Sequence, residues 1–188
     1  MLKNIKLVQF FGGIIISFWI AFTALAGFSW WGLSSAADSL HAVHTNRMAK
    51  ANKLGDMAQN VTRNRMEILL MFQHDPNGQL HAAHDHAVSV HVDNYTKRRT
   101  ETNAWWDAIK GGPLDEDEAK LVRQVDETRA AWVSKANEAL SSVRANTFTP
   151  QIMGDYLKAG RAEGEAMLQA INALHQYQED AAGKAAEQ

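Results

Sequence analysis

The stretch DSLHAVHTNRMAKANKLGDMAQNVTRNRMEILLMFQ, Asp38 to Gln73, decides the fold. Its apolar residues Leu40, Val43, Leu54, Met57, Val61, Ile68 and Met71 recur at spacings built from three and four. On a helix of 3.6 residues per turn such positions share one face, which is the pattern of helices packed side by side in a bundle.

Three more helices follow. DPNG (Asp75 to Gly78) breaks the first, since proline lacks a donor and Asn-Gly turns readily. The second then carries Leu80, Val88, Tyr95, Trp105 or Trp106, and Ile109 on one stripe, and KGGP (Lys110 to Pro113) ends it. LDEDEAK (Leu114 to Lys120) opens the third with acids in its first turn, where they suit the helix dipole. Its stripe is Leu121, Val125, Trp132, Ala136, Ala139 and Val143. NTFTP (Asn146 to Pro150) starts the fourth, with Thr149 as N-cap and Pro150 at the first helical position. Met153, Leu157, Gly160, Gly164, Met167, Ile171 and Leu174 are its inward face. Each helix runs to roughly 30 residues, or about 45 Å. Short turns between long helices force antiparallel neighbours, so the expected fold is all-α, an up-down-up-down four-helix bundle.

Upstream, Lys3 and Lys6 precede a run from Leu7 to Ala37 without a charged residue, centred on QFFGGIIISFWIAFTALAGFSWWGL. A bilayer core takes about 20 apolar residues in a helix, whereas a signal-peptide core takes about 7–15. The run therefore reads as a transmembrane helix, with Trp30 and Trp31 at the headgroup level and the lysines holding the N-terminus in the cytoplasm. The expected organisation is a cytoplasmic N-terminus over 1–6, a transmembrane helix over 7–33 and a periplasmic bundle over 34–188. Helix 4 then returns the chain to the bilayer at Gln188, where a second span is expected.

Composition narrows the function. With no cysteine there is no thiolate nucleophile or thiolate metal site, and a net charge of −2 argues against broad binding to nucleic acid. No Ser/His/Asp or paired-carboxylate spacing and no phosphate loop occur, and the Glu-x-x-His pairs of di-iron bundles are missing, so an enzyme is not expected. No cofactor is expected either.

A basic N-terminus, one span and an exported four-helix bundle together resemble the front end of a bacterial methyl-accepting chemotaxis receptor. The bundle is similar to the aspartate-receptor type of sensor domain. That resemblance implies a homodimer paired through its first helices, capture of a small ligand near the membrane-distal tip and a piston-like shift of helix 4. It also implies arginines on distal helix 1, here Arg63 and Arg65, and partners at the start of helix 4, here Phe148, Thr149 and Gln151 in FTPQ. Guanidinium groups grip carboxylates bidentately, so an organic acid or amino acid is the expected ligand class. Two arginines two residues apart leave the acid unspecified, and a ligand with an aromatic ring is equally open. Downstream signalling machinery enters only if the chain continues past residue 188. The sensor of a histidine kinase has the same architecture and is the alternative.

Two further features stand apart. MEILLMF (Met66 to Phe72) is apolar nearly all round, which suggests a dimer interface on helix 1, or else a buried helix end. HDPNGQLHAAHDHAVSVH (His74 to His91) holds five of the chain's eight histidines, His74, His81, His84, His86 and His91. Projected on a helix, His84 and His91 face inward, His81 flanks them and His86 points away. Hydrogen-bonded scaffold is the expected role. His81, His84 and Asp85, at i, i+3 and i+4, are the set for a metal or haem role, a metal-handling helical protein being the rival of another class, and pH sensing is a third reading.

Overall fold

A computed structural model describes residues 7–187, so the expected cytoplasmic segment 1–6 and the final Gln188 lie outside the described residues. Helix α1 runs unbroken over Leu7–Phe72, 66 residues, carrying the apolar run directly into the bundle. Helix α2 spans Ser89–Gly111 and α3 spans Glu116–Arg144. The fourth rod has three parts: α4 (Pro150–Ala159), a π-helical turn (Gly160–Gly164) and α5 (Glu165–Ala186). α1 packs chiefly on α5 and α2, and α3 on α5 and α4. Side-chain bonds bridge α2 to α3: Trp106 Nε1 donates to Asp126 (2.7 Å), Arg99 to Asn137 (2.6 Å) and Arg129 to Asn103 (2.6 Å).

Two helices carry side-chain caps, at Thr149 as the sequence predicts and at Asp115, which it offers only as a first-turn acid. Asp115 precedes α3 and accepts from the Glu118 amide at 2.9 Å. Thr149 precedes α4 and accepts from the Ile152 amide at 3.2 Å, with Pro150 at the first helical position. Between α3 and α4 Asn146 adopts φ 56°, the left-handed region that asparagine tolerates at a helix end. The amides of Asn146 and Thr147 reach back to the carbonyls of Val143 and Ser142.

The core forms from the expected stripes: Leu54, Met57, Ile68 and Met71 from α1, Tyr95, Trp106 and Ile109 from α2, Val125, Trp132 and Ala136 from α3, Met167, Ile171 and Leu174 from α5. Leu40, Val43, Leu80 and Leu157 depart from the expected inward stripes. Val43 is 47% exposed and Leu40 half-buried, because α2 and α3 meet near Lys50, whose Nζ donates to the Pro113 carbonyl, and do not extend beside them. Leu80 is 54% exposed, because α2 begins only at Ser89. The segment before it closes a turn over Asp75, whose carboxylate accepts from the Asn77 amide, and then forms a 3-10 turn at His81–Ala83. Leu157 is exposed and Tyr156 buried in its place, because the π turn inserts one residue and shifts every position before it by one. MEILLMF is mostly covered within its own bundle, with Glu67, Ile68, Met71 and Phe72 buried and Met66 alone exposed.

Candidate functional site

The distal half of α1 presents its two arginines to opposite surroundings, as residues two apart on a helix must. Arg63 is exposed and, among the described residues, makes no ion pair. Arg65 is half-buried against the fourth rod, where Nη1 donates to Glu165 at 2.6 Å and the guanidinium lies 5.8 Å from the Trp132 ring centre. The π turn makes room for it. A Cβ on Gly160 would stand 3.2 Å from Arg65 Nη2, and one on Gly164 would stand 3.4 Å from the Trp132 ring. Tyr156, buried two turns from the start of α4, donates to the Arg65 carbonyl at 3.4 Å and packs on both Phe72 and Trp132. Burial raises the Tyr156 hydroxyl far above the usual phenol range, so it stays a donor.

The start of α4 lies elsewhere. Thr149 spends its hydroxyl on the cap, Gln151 bonds Asp155 at 3.0 Å and Phe148 packs half-buried on the core. From Thr149 to Gly160 the rod rises about 17 Å at 1.5 Å per residue. Within the chain, then, Arg65 is gathered with Trp132, Tyr156 and Glu165, and not with Phe148, Thr149 or Gln151. Gly160 and Gly164 were legible as a small-residue pair on the inward face, but nothing in the sequence marks Trp132 or Glu165 as Arg65's neighbours.

The histidines converge in a different grouping from the helical projection. His81 lies in the 3-10 turn, its Nδ1 3.2 Å from the His74 carbonyl, and Asp85 is fully exposed in the segment beyond. His81, His84 and Asp85 thus do not share a helix face, because no helix runs through them. His74, His84, His86 and His91 instead bring one ring nitrogen each to within 4.8 Å of one another. His86, expected to point away, sets Nε2 2.9 Å from His91 Nε2. The one charged residue of MEILLMF, Glu67, is buried and accepts from His91 Nδ1 and Arg98 Nη1, both at 2.7 Å. Those donors hold the Glu67 carboxyl below the usual range against the pull of burial.

The family described as Tar ligand binding domain homologue matches residues 1–182. The chain belongs to that family. It is a Tar-type ligand-binding sensor domain of the chemoreceptor class, periplasmic and non-enzymatic, built as the four-helix bundle described above. No curated protein and no solved structure matches the chain. Among the described residues one helix, α1, is long and apolar enough to cross a membrane by length and composition.

Proposed function

We propose that this Tar-type domain is the membrane-anchored sensor region of a chemoreceptor. Residues 1–6 are cytoplasmic, 7–33 cross the inner membrane and 34–188 form the periplasmic bundle. It captures a small, carboxylate-bearing attractant beside Arg63 and Arg65, between two copies paired along α1. The observation that carries this reading is Arg63: an exposed guanidinium beside exposed Met66, on the side of α1 turned from the bundle, with its charge unmatched by any described ion pair. A second copy seated there would enclose a ligand carboxylate between fixed donors.

Arg65 has a complementary part. Its guanidinium sits in the π turn of the rod that descends to the membrane, and Glu165 already pairs with it. A ligand carboxylate that draws Arg65 from Glu165 changes the packing at that turn, and α5 carries the change toward Ala182, whose carbonyl meets His44 on α1 at 3.0 Å. Phe148, Thr149 and Gln151 contribute only if the partner copy brings them to the ligand.

The test is a thermal-shift screen of the full chain in detergent against organic acids and amino acids. A cognate acid at 100 times its Kd adds about 2.7 kcal/mol to stability, a readily visible rise. No stabilisation by any acid, with the fold intact, would refute the carboxylate assignment.

A further inference from the structure

We infer that His74, His84, His86 and His91 bind one late first-row divalent transition-metal cation, such as Zn²⁺, Ni²⁺, Co²⁺ or Cu²⁺, at the distal tip. The inference stands apart from the arginine reading and does not depend on it.

The geometry comes first. One nitrogen from each ring already lies within 4.8 Å of the others. Four nitrogens at 2.0–2.1 Å from a tetrahedral metal stand about 3.3 Å apart, so small side-chain rotations complete the set. The backbone holds the rings from three directions: His74 follows the end of α1, His84 and His86 lie in the tip segment, and His91 opens α2. His84 Nε2 rests 3.2 Å from the Gln73 amide oxygen, and the His74 and His84 rings are 4.0 Å apart.

The outer partners point the same way. Glu67 takes the Nδ1 side of His91, and Arg98 pins that carboxylate from its other oxygen. Asp85 takes the Nδ1 side of His86 at 2.9 Å. A carboxylate on Nδ1 draws the proton there and leaves Nε2 with its lone pair, the usual arrangement behind metal-bound imidazoles. Both rings then direct Nε2 lone pairs at each other across 2.9 Å, an arrangement that needs a cation or a proton between them. His74 supplies the decisive atom. The residue is 6% exposed, and Nε2 is buried without a hydrogen-bond partner among the described residues. A hydrogen-bonded cluster leaves that nitrogen an unpaired polar group, which costs free energy, whereas a metal satisfies it.

The donor set fixes the metal class. Four imidazoles suit zinc, copper, nickel and cobalt and ill suit magnesium or calcium, which prefer oxygen. His86, exposed at the rim, gives the ion a way in.

The experiment titrates Zn²⁺, Ni²⁺, Co²⁺ and Cu²⁺ into chelator-stripped full chain in detergent, with the visible absorption of bound Co²⁺ reporting coordination and Mg²⁺ as the control. The expected result is one equivalent of at least one of the four metals and none of Mg²⁺. Affinity should fall at least tenfold in His86→Ala and His84→Ala, whose rings are not needed for the core. Glu67→Gln, a positioning change, should weaken binding by about 10- to 100-fold with circular dichroism unchanged. His41→Ala, on exposed α1 far from the tip, should bind as wild type. Absence of stoichiometric binding to the wild-type chain would overturn the inference. So would wild-type affinity in the His84→Ala, His86→Ala double variant, or an equal loss in His41→Ala.

Discussion

Arg63 and Arg65 sit two residues apart and are expected to differ when removed. Arg65→Ala loses a half-exposed ion pair with Glu165 and the contact with Trp132. An exposed pair contributes up to about 1 kcal/mol and a cation–π contact about 0.5–1, so the melting temperature should drop by a few degrees. Arg63→Ala removes no described ion pair from an exposed position and should melt within a degree or so of wild type, checked by thermal circular dichroism. Equal losses would mean that the Arg65 packing is not holding the rod. Thr149 was legible as a cap because a cap is a local bond between residues three apart. The histidine grouping was not, because it depends on where the chain stops being helical. His86 points outward on a projected helix and inward on the bent, non-helical backbone that actually leads to His91.

Asp115 couples element to pH. Its carboxylate caps α3 on the Glu118 amide and accepts from Tyr177 at 2.7 Å and from Arg47 at 2.9 Å. Those bonds, the backbone amide foremost, hold its carboxyl at about 2. Because the folded value lies below the unfolded one near 3.9, the stabilisation is whole above about pH 4 and is lost as pH falls through about 2. Asp115→Ala should cost about 1 kcal/mol at pH 7 by denaturant titration, and its deficit against wild type should narrow as pH drops toward 2. A deficit independent of pH would show that the cap is not the carboxylate. At this scale the helices themselves were legible from period and punctuation: α3 from its acids to Arg144, α4 from Thr149 onward. The periodic reading failed where a single residue breaks the period. Across the π turn one uniform stripe predicts Leu157 where Tyr156 is buried, and past DPNG it predicts Leu80 inside a helix that has not begun.

At the scale of the molecule, three of the four rods meet at one buried acid. Glu118 of α3 has no exposed surface and accepts from Arg47 (2.7 Å) and Lys50 (2.7 Å) of α1 and from Gln178 (2.8 Å) of α5. In the sequence it looked like one more acid of a first turn, since burial is set by partners far along the chain. Glu118→Ala leaves two cations facing a hole, and removing one side of a buried pair costs about 3–5 kcal/mol. Urea unfolding should show a loss of that size; a loss below about 1 kcal/mol would mean that water or rearrangement covers the cations. The network ties α1 to α5 near Arg47 and Gln178, while Arg65 ties the same two rods nearer the His74 end. Capture at the tip and transmission along α5 are therefore claims about one connected pair of helices, and the ligand is their common premise. The direct measurement is calorimetric titration of the full chain in detergent with the acid that the thermal screen selects, repeated on Arg63→Ala and on Arg65→Ala. A charge-assisted hydrogen bond contributes about 1.5–3 kcal/mol, so the variant should bind about 10- to 150-fold more weakly with its melting temperature kept. Wild-type affinity in both Arg63→Ala and Arg65→Ala would contradict the account.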